Sequence, residues 1–223
     1  MALSELFANV DPAELWKSFG ETMYMVGIAT IFTAIIGLPL GILVVLTSPG
    51  HLLQNRLVYR VLSIIINIFR SIPFIILLIL LIPFTRVIVG TSIGVSAAIP
   101  PLVVASAPFF ARLVEVSLRE VDKGVIEMAQ STGATTWQII TRVLLPEARP
   151  GIIAGVTITL VSLVGYSAMS GVIGGGGLGD LAIRYGYQRF QTDVSVVTTA
   201  IMVVLVQVFQ SVGDRFVAYF NRK

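Results

Sequence analysis

Cysteine is absent from the 223 residues, and histidine occurs once, as His51. The first absence removes disulfide frameworks, thiolate metal sites and cysteine nucleophiles. The second leaves no imidazole cluster for a metal centre or a triad. Charge is scarce as well. Asp, Glu, Lys and Arg make up 12% of the chain against 56% hydrophobic residues, where an ordinary soluble domain carries about 25% charged residues. That shortage argues against a soluble enzyme. No G-x-x-x-x-G-K-[ST] loop is present, so ATP binding of the Walker kind is not expected of this chain. The acids are too dispersed for a carboxylate pair, and no metal site stands out. The net charge of +3 comes from scattered residues, which in a membrane protein set orientation and do not mark a nucleic-acid surface.

Long apolar runs are what the chain has in abundance. Five segments reach the roughly 20 residues that a bilayer demands, at about 23–46, 57–84, 91–113, 151–173 and 194–216. The reading is an all-α polytopic membrane protein of about five spans. The second run, at about 1.5 Å per residue, measures about 42 Å against a hydrocarbon core of about 30 Å. It must tilt, protrude or bend near Pro73. Pro39, Pro100, Pro101 and Pro108 are expected to interrupt other spans.

Lys and Arg fix an orientation. With the N-terminus outside, the inner side receives Arg56, Arg60, Arg112, Arg119, Lys123, Arg142, Arg149, Arg215, Arg222 and Lys223, and the outer side Lys17, Arg86, Arg184 and Arg189. That is a positive-inside bias, with the C-terminus inside and Arg70 left within a span. The acidic start, with Glu5, Asp11, Glu14 and Glu21, does not read as a cleavable signal. Residues 1–22 are therefore expected to form an external segment and residues 23–223 a transmembrane domain, with a cytoplasmic loop at about 115–150.

That loop carries explicit punctuation. A helix through Val125–Thr132 ends at Gly133, suited to a left-handed C-terminal cap. Thr135 and Gln138 have capping-box spacing, and Pro146 is expected to stop the second helix. The result is a helix–turn–helix knob too small to bury its own core. Its exposed Val125, Met128 and Trp137 would plug a groove on a partner. The alternative is a plain connector between spans.

Glu127-Met128-Ala129, three residues, Gly133, nine residues and Val143-Leu144-Leu145-Pro146 resemble the coupling motif of importer-type ABC permeases, with Met128 and Val143 replacing the usual Ala and Ile. The resemblance implies that Val125, Glu127, Met128, Ala129, Gly133, Thr135, Trp137, Leu145 and Pro146 serve ATPase coupling. Asn67–Phe74, Ile82–Arg86, Ala107–Arg112 and Gly165–Met169 are similar to the methionine-uptake branch. The resemblance further implies the type I importer permease fold, a homodimer, and two ATPase subunits that hold ATP and Mg. It also implies an external methionine-binding protein, a bacterial cytoplasmic (inner) membrane location, alternating access, and no cofactor or catalytic site on this chain.

Polar faces within the spans give pathway candidates. Asn67, Arg70 and Ser71 share one side of a helix. Arg70 either lines the pathway or has a structural role, bonding carbonyls freed near Pro73 or a neighbouring span. Thr159, Ser162, Tyr166 and Met169 form a stripe that lines a path or packs a dimer seam. Gln207, Gln210, Ser211 and Asp214 read as a contact near the inner end. Gly174–Gly179 satisfies G-x-G-x-x-G without a strand–helix context. It reads as a flexible turn at the outer mouth, a contact for the binding protein, or a plain loop. Gly37/Gly41, Gly90/Gly94 and Gly151/Gly155 match the small-residue helix-packing motif. Three rivals remain: a self-contained secondary transporter or channel, for which no repeat and one intramembrane charge are found, an ABC permease for another amino acid or small organic solute, and a scaffold without transport.

Overall fold

The computed structural model describes residues 9–221, every regular element of which is helical. The helices are α1 (Pro12–Thr47), α2 (Arg56–Ser71), α3 (Phe74–Leu80), α4 (Ile82–Val89), α5 (Val95–Arg119), α6 (Lys123–Ser131), α7 (Thr136–Ile139), α8 (Leu145–Ser170), α9 (Gly177–Leu181) and α10 (Thr192–Phe220). A π turn, Ile140–Leu144, joins α7 to α8. A 3₁₀ turn, Gly171–Ile173, follows α8, and a second π turn, Ala182–Tyr187, follows α9. Four stretches are long and apolar enough to cross a membrane: Pro12–Thr47, Val95–Arg119, Thr136–Ile173 and Thr192–Phe220. A fifth is α2 with α3 taken as one broken span, bent by 102° at Ser71–Pro73.

Three boundaries differ from the sequence reading. The first helix starts at Pro12, well before Met23. Asp11 Oδ1 accepts from Ala13 N–H at 2.9 Å, Pro12 takes the first helical position, and Glu14 complements the N-terminal dipole. Of the acids placed in a lead before the first span, Asp11 caps this helix, Glu14 lies in its first turn and Glu21 lies within it. Glu5, Arg222 and Lys223 lie outside the described residues. Next, Pro39, Pro100, Pro101 and Pro108 sit inside continuous helices; only Pro73 marks a sharp break. Last, Pro146 does not end the second knob helix. Leu145 N–H closes the π turn on the Ile140 carbonyl, and Pro146 follows as the second residue of α8, where a missing donor costs little. Thr136–Ile173 is one helical course of 38 residues, about 57 Å long.

The chain forms two compact units. One holds residues up to Phe32, Ile72–Ala105 and Leu160–Gln210. Its core is Met25, Val26 and Ala29 of α1, Phe74 and Leu78 of α3, Ala98, Leu102 and Val103 of α5, Leu163 and Val164 of α8, and Leu205 of α10. The other holds Thr33–Ser71, Ser106–Thr159 and residues from Ser211 on. Its core joins Val45 and Leu46 to Phe110, Val114 and Leu118, and to Ile139, Ile140, Leu144 and Ala148.

Within this second unit, glycine contacts fix helix directions. A Cβ on Gly37 would lie 2.9 Å from the Ala107 carbonyl oxygen, and one on Gly41 2.6 Å from that of Ala111. Numbers rise together, so α1 and α5 run parallel. Gly151 meets Ser117, and Gly155 meets Leu113; numbers run opposite, so α8 is antiparallel to α5. These two pairs let helices approach closely. Gly90 and Gly94, by contrast, sit at φ +82° and +98° with open space around them, and serve turns.

Candidate functional site

The knob is held by hydrogen bonds that its sequence specifies. Asp122 caps α6 by accepting from Gly124 N–H at 2.6 Å, a cap that sequence reading missed although Asp is a favoured N-cap residue. At the other end Gly133 has φ +78°. Its N–H donates to the Gln130 carbonyl at 2.9 Å, and Ala134 N–H donates to that of Ala129 at 3.1 Å. Those two bonds make a Schellman motif. Two residues on, Thr135 N–H donates to Gln138 Oε1 at 2.8 Å, and Gln138 N–H donates to Thr135 Oγ1 at 3.3 Å. Both halves of the capping box are formed.

The knob has a buried root and an open crown. Ile139, Ile140 and Leu144 enter the core made by α1 and α5, with Ile126, Ala129, Ala134 and Leu145 packed on its edge. Glu127, Met128 and Trp137 face outward, Met128 at 63% exposure and Trp137 at 72%. Val125, expected to be exposed, is half-buried, as is Pro146.

Close to the root, Glu115 of α5 is buried between two arginines. Arg112 Nη1 lies 2.6 Å from Glu115 Oε2, and Arg119 Nη2 lies 2.9 Å from Oε1. A carboxylate with 2% side-chain exposure persists because both oxygens are paired. Sequence reading missed this clamp, although the spacing of Arg112 and Arg119 around Glu115 is that of helix neighbours. His51, in the α1–α2 turn, is held below its ordinary value of 6.5, first by burial and then by the charges of Arg119 and Lys123. Both causes favour its neutral form.

Residues 174–179 are ordered rather than a flexible loop. Gly177 N–H donates to Glu21 Oε2 at 2.8 Å, and Leu178 N–H donates to Thr22 Oγ1 at 2.9 Å. The start of α9 is thereby fixed to α1, and Gly177–Leu181 is buried. A Cβ on Gly179 would collide with Ala168 Cα, and one on Gly171 with Asp180 N. Asp180 accepts from Arg184 Nε at 2.6 Å.

The pathway candidates fall in two sets. Asn67, Arg70 and Ser71 are exposed at the end of α2, and Ser71 Oγ donates to the Asn67 carbonyl at 2.8 Å. Along α8, Ser162 is half-buried, and Tyr166 stacks on Phe74 with centroids 4.6 Å apart. Met169, 49% exposed, lines a largely apolar groove of about 660 Å³ with Gly165, Ala168, Met202 and Gln207. Gln207, read as an inner-end contact, belongs to this groove. Thr159 leaves the expected stripe: it is buried, and its hydroxyl donates to the Gly155 carbonyl at 2.7 Å.

Long apolar helices that carry a capped, rooted knob with an exposed aromatic crown define a membrane-spanning helical protein. The chain matches the family described as binding-protein-dependent transport system inner membrane component over residues 37–223. A probable D-methionine transport system permease protein, MetI, of Pasteurella multocida is 51% identical over 213 residues, covering 94% of this chain and 98% of that protein. The methionine import system permease protein MetP of Bacillus subtilis is 52% identical over 208 residues, covering 93% and 94%. A chain of the MetNI methionine ABC transporter, solved in inward-facing conformations, superposes with a TM-score of 0.93 at 49% identity, covering 96% of this chain and all of that one. This chain belongs to the binding-protein-dependent transport system inner membrane component family. It is a permease subunit with the type I importer fold, and ATP hydrolysis in such systems belongs to a separate subunit.

Proposed function

We propose that two copies of this chain form the translocation pathway of an ATP-driven methionine importer, for the L form, the D form or both. The knob is the single observation that carries the reading. It exposes Met128 and Trp137 and is rooted through Ile139, Ile140 and Leu144 in the core of the spans. An aromatic anchor on a rigid mount suits insertion into a groove of an ATPase subunit. Two such subunits, each with ATP and Mg, drive the cycle, and an external methionine-binding protein delivers cargo. Identity of about half to permeases named for methionine supports the cargo. The positive-inside count supports an outer N-terminus, an inner C-terminus and a multi-pass location in the bacterial cytoplasmic membrane. ATP and the loaded binding protein must both favour the outward-open state, since a ligand shifts an equilibrium only by its differential affinity.

The test is uptake of labelled methionine by proteoliposomes holding this chain and its ATPase. The loaded binding protein is presented outside, with or without ATP within. Uptake that needs both ATP and the binding protein is the expected result. Uptake by the chain alone, without ATP, overturns the mechanism. Hydrolysis stimulated by the binding protein without methionine movement assigns another cargo.

A further inference from the structure

The polar side of α2 extends beyond Asn67, Arg70 and Ser71. Arg56, Arg60, Ser63, Asn67 and Arg70 recur at spacings of four, three, four and three. At about 100° per residue they fall within an arc of about 80°, forming a lane about 21 Å long. The remaining surface of the helix has two other faces. Ile66 is buried with Val44 and Ala111, and Tyr59 and Leu62 pack beside it. Leu57, Val61, Ile64, Ile65 and Ile68 are exposed and apolar, as a lipid-facing surface is. The polar lane lies between them.

Nothing within the described residues satisfies this lane. The side chains of Arg60, Asn67 and Arg70 make no hydrogen bond or ion pair there, and the Ser63 hydroxyl is buried without a partner. An arginine kept only for structure would bond carbonyls freed at the Pro73 break or a neighbouring span; among the described residues Arg70 bonds neither. A guanidinium within a span faces water or an anion in preference to lipid. Its planar fork matches a carboxylate with two parallel donors.

We propose that Arg70 positions the cargo by pairing with its α-carboxylate, and that the exposed Asn67 and Arg60 carry that carboxylate onward along α2. The inference rests on the methionine reading above. Methionine's side chain is neutral, so the carboxylate is the one full negative charge through which a basic lane selects it. A single exposed arginine also releases its partner readily, as transit requires.

The experiment uses the full complex in proteoliposomes with the loaded binding protein, and reads methionine imported per ATP hydrolysed. For Arg70→Gln this ratio is expected to fall about tenfold or more, the loss of one hydrogen bond to a charged group, while hydrolysis stays within about twofold. Arg70→Lys, which keeps the charge, is expected to recover a substantial part of the ratio, and Arg60→Gln to cause a smaller fall. An unchanged ratio in Arg70→Gln overturns the inference. So does a parallel loss of hydrolysis and import that Arg70→Lys does not rescue, because that marks a structural arginine. Should Arg70→Gln fail to assemble, an unchanged ratio in Arg60→Gln overturns the lane, and a lowered ratio supports it. Wild-type vesicles that hydrolyse ATP but import no methionine remove the cargo assignment and this inference together. Wild-type import with an unaffected variant removes the inference alone.

Discussion

At its N-terminal end α8 grows out of α7 through the π turn Ile140–Leu144, and at its C-terminal end it passes through Gly171–Ile173 into α9 and the π turn Ala182–Tyr187. Both returns are short, both contain a π turn, and both use glycine at positive φ. They differ in what they leave unfinished. The return around α9 is completed within the chain: Gly177–Leu181 is buried, its first amides are taken by Glu21 and Thr22, and glycines 171 and 179 sit against backbone. The knob completes its hydrogen bonds but not its packing, and leaves Met128 and Trp137 open. Self-sufficient hydrogen bonding with incomplete apolar burial is what the proposed docking of this knob on another protein rests on.

The largest effect should come from filling the closed return. Gly179→Val places side-chain atoms on Ala168 backbone, and overpacking of that kind costs about 3 kcal/mol. The expected result is a large drop in the thermal midpoint of the purified complex. A midpoint equal to wild type would mean that this return is as yielding as a surface loop, and the contrast would fail. At the open return, Trp137→Ala should leave the chain's own stability within about 0.5 kcal/mol. It should weaken ATPase docking by about 2 kcal/mol, roughly 30-fold in Kd. Co-purification and titration of the ATPase subunit would check this, and a stability loss without a docking loss would reverse the assignment of crown and root. The smallest effect should come from Thr135→Ala, which removes one half of the capping box at about 1 kcal/mol. Hydrogen exchange of amides 136–139 should quicken while those of α5 keep their protection. Equal changes in both would show that knob and mount open as one body.

Much of this was legible from residue order, because local hydrogen bonding is written locally. Gly133, Thr135 and Gln138 declare their caps by type and spacing, and the observed bonds are those expected. The five apolar runs likewise correspond to the four long helices and the bent pair. Other local signals were present but outweighed. Asp11-Pro12 is a helix start, hidden because the surrounding acids suggested a solvated lead. Glu115 with Arg112 and Arg119 is a helix-spaced clamp. Two features had no local signal. The approach of Gly179 to Ala168 depends on the chain turning back on itself, and run composition suggested a flexible loop instead. Pro146 reads as a stop under α-helical geometry, which does not anticipate a π turn directly before it.

The same π turn sets a phase. Between α7 and α8 each hydrogen bond spans one residue more than in an α-helix, and the azimuth at which Trp137 leaves the axis follows from the residue count along the helical course. Removing one residue from the α-helical stretch that follows, with the π turn kept, would rotate the crown by about 100° about the helix axis and draw it in by about 1.5 Å. The cap bonds of the knob would survive such a deletion, and so would every side chain of its crown. Only their bearing would change. For a part proposed to enter a partner's groove, angular registry is as much a determinant of fit as side-chain identity, and the helical course Thr136–Ile173 carries it.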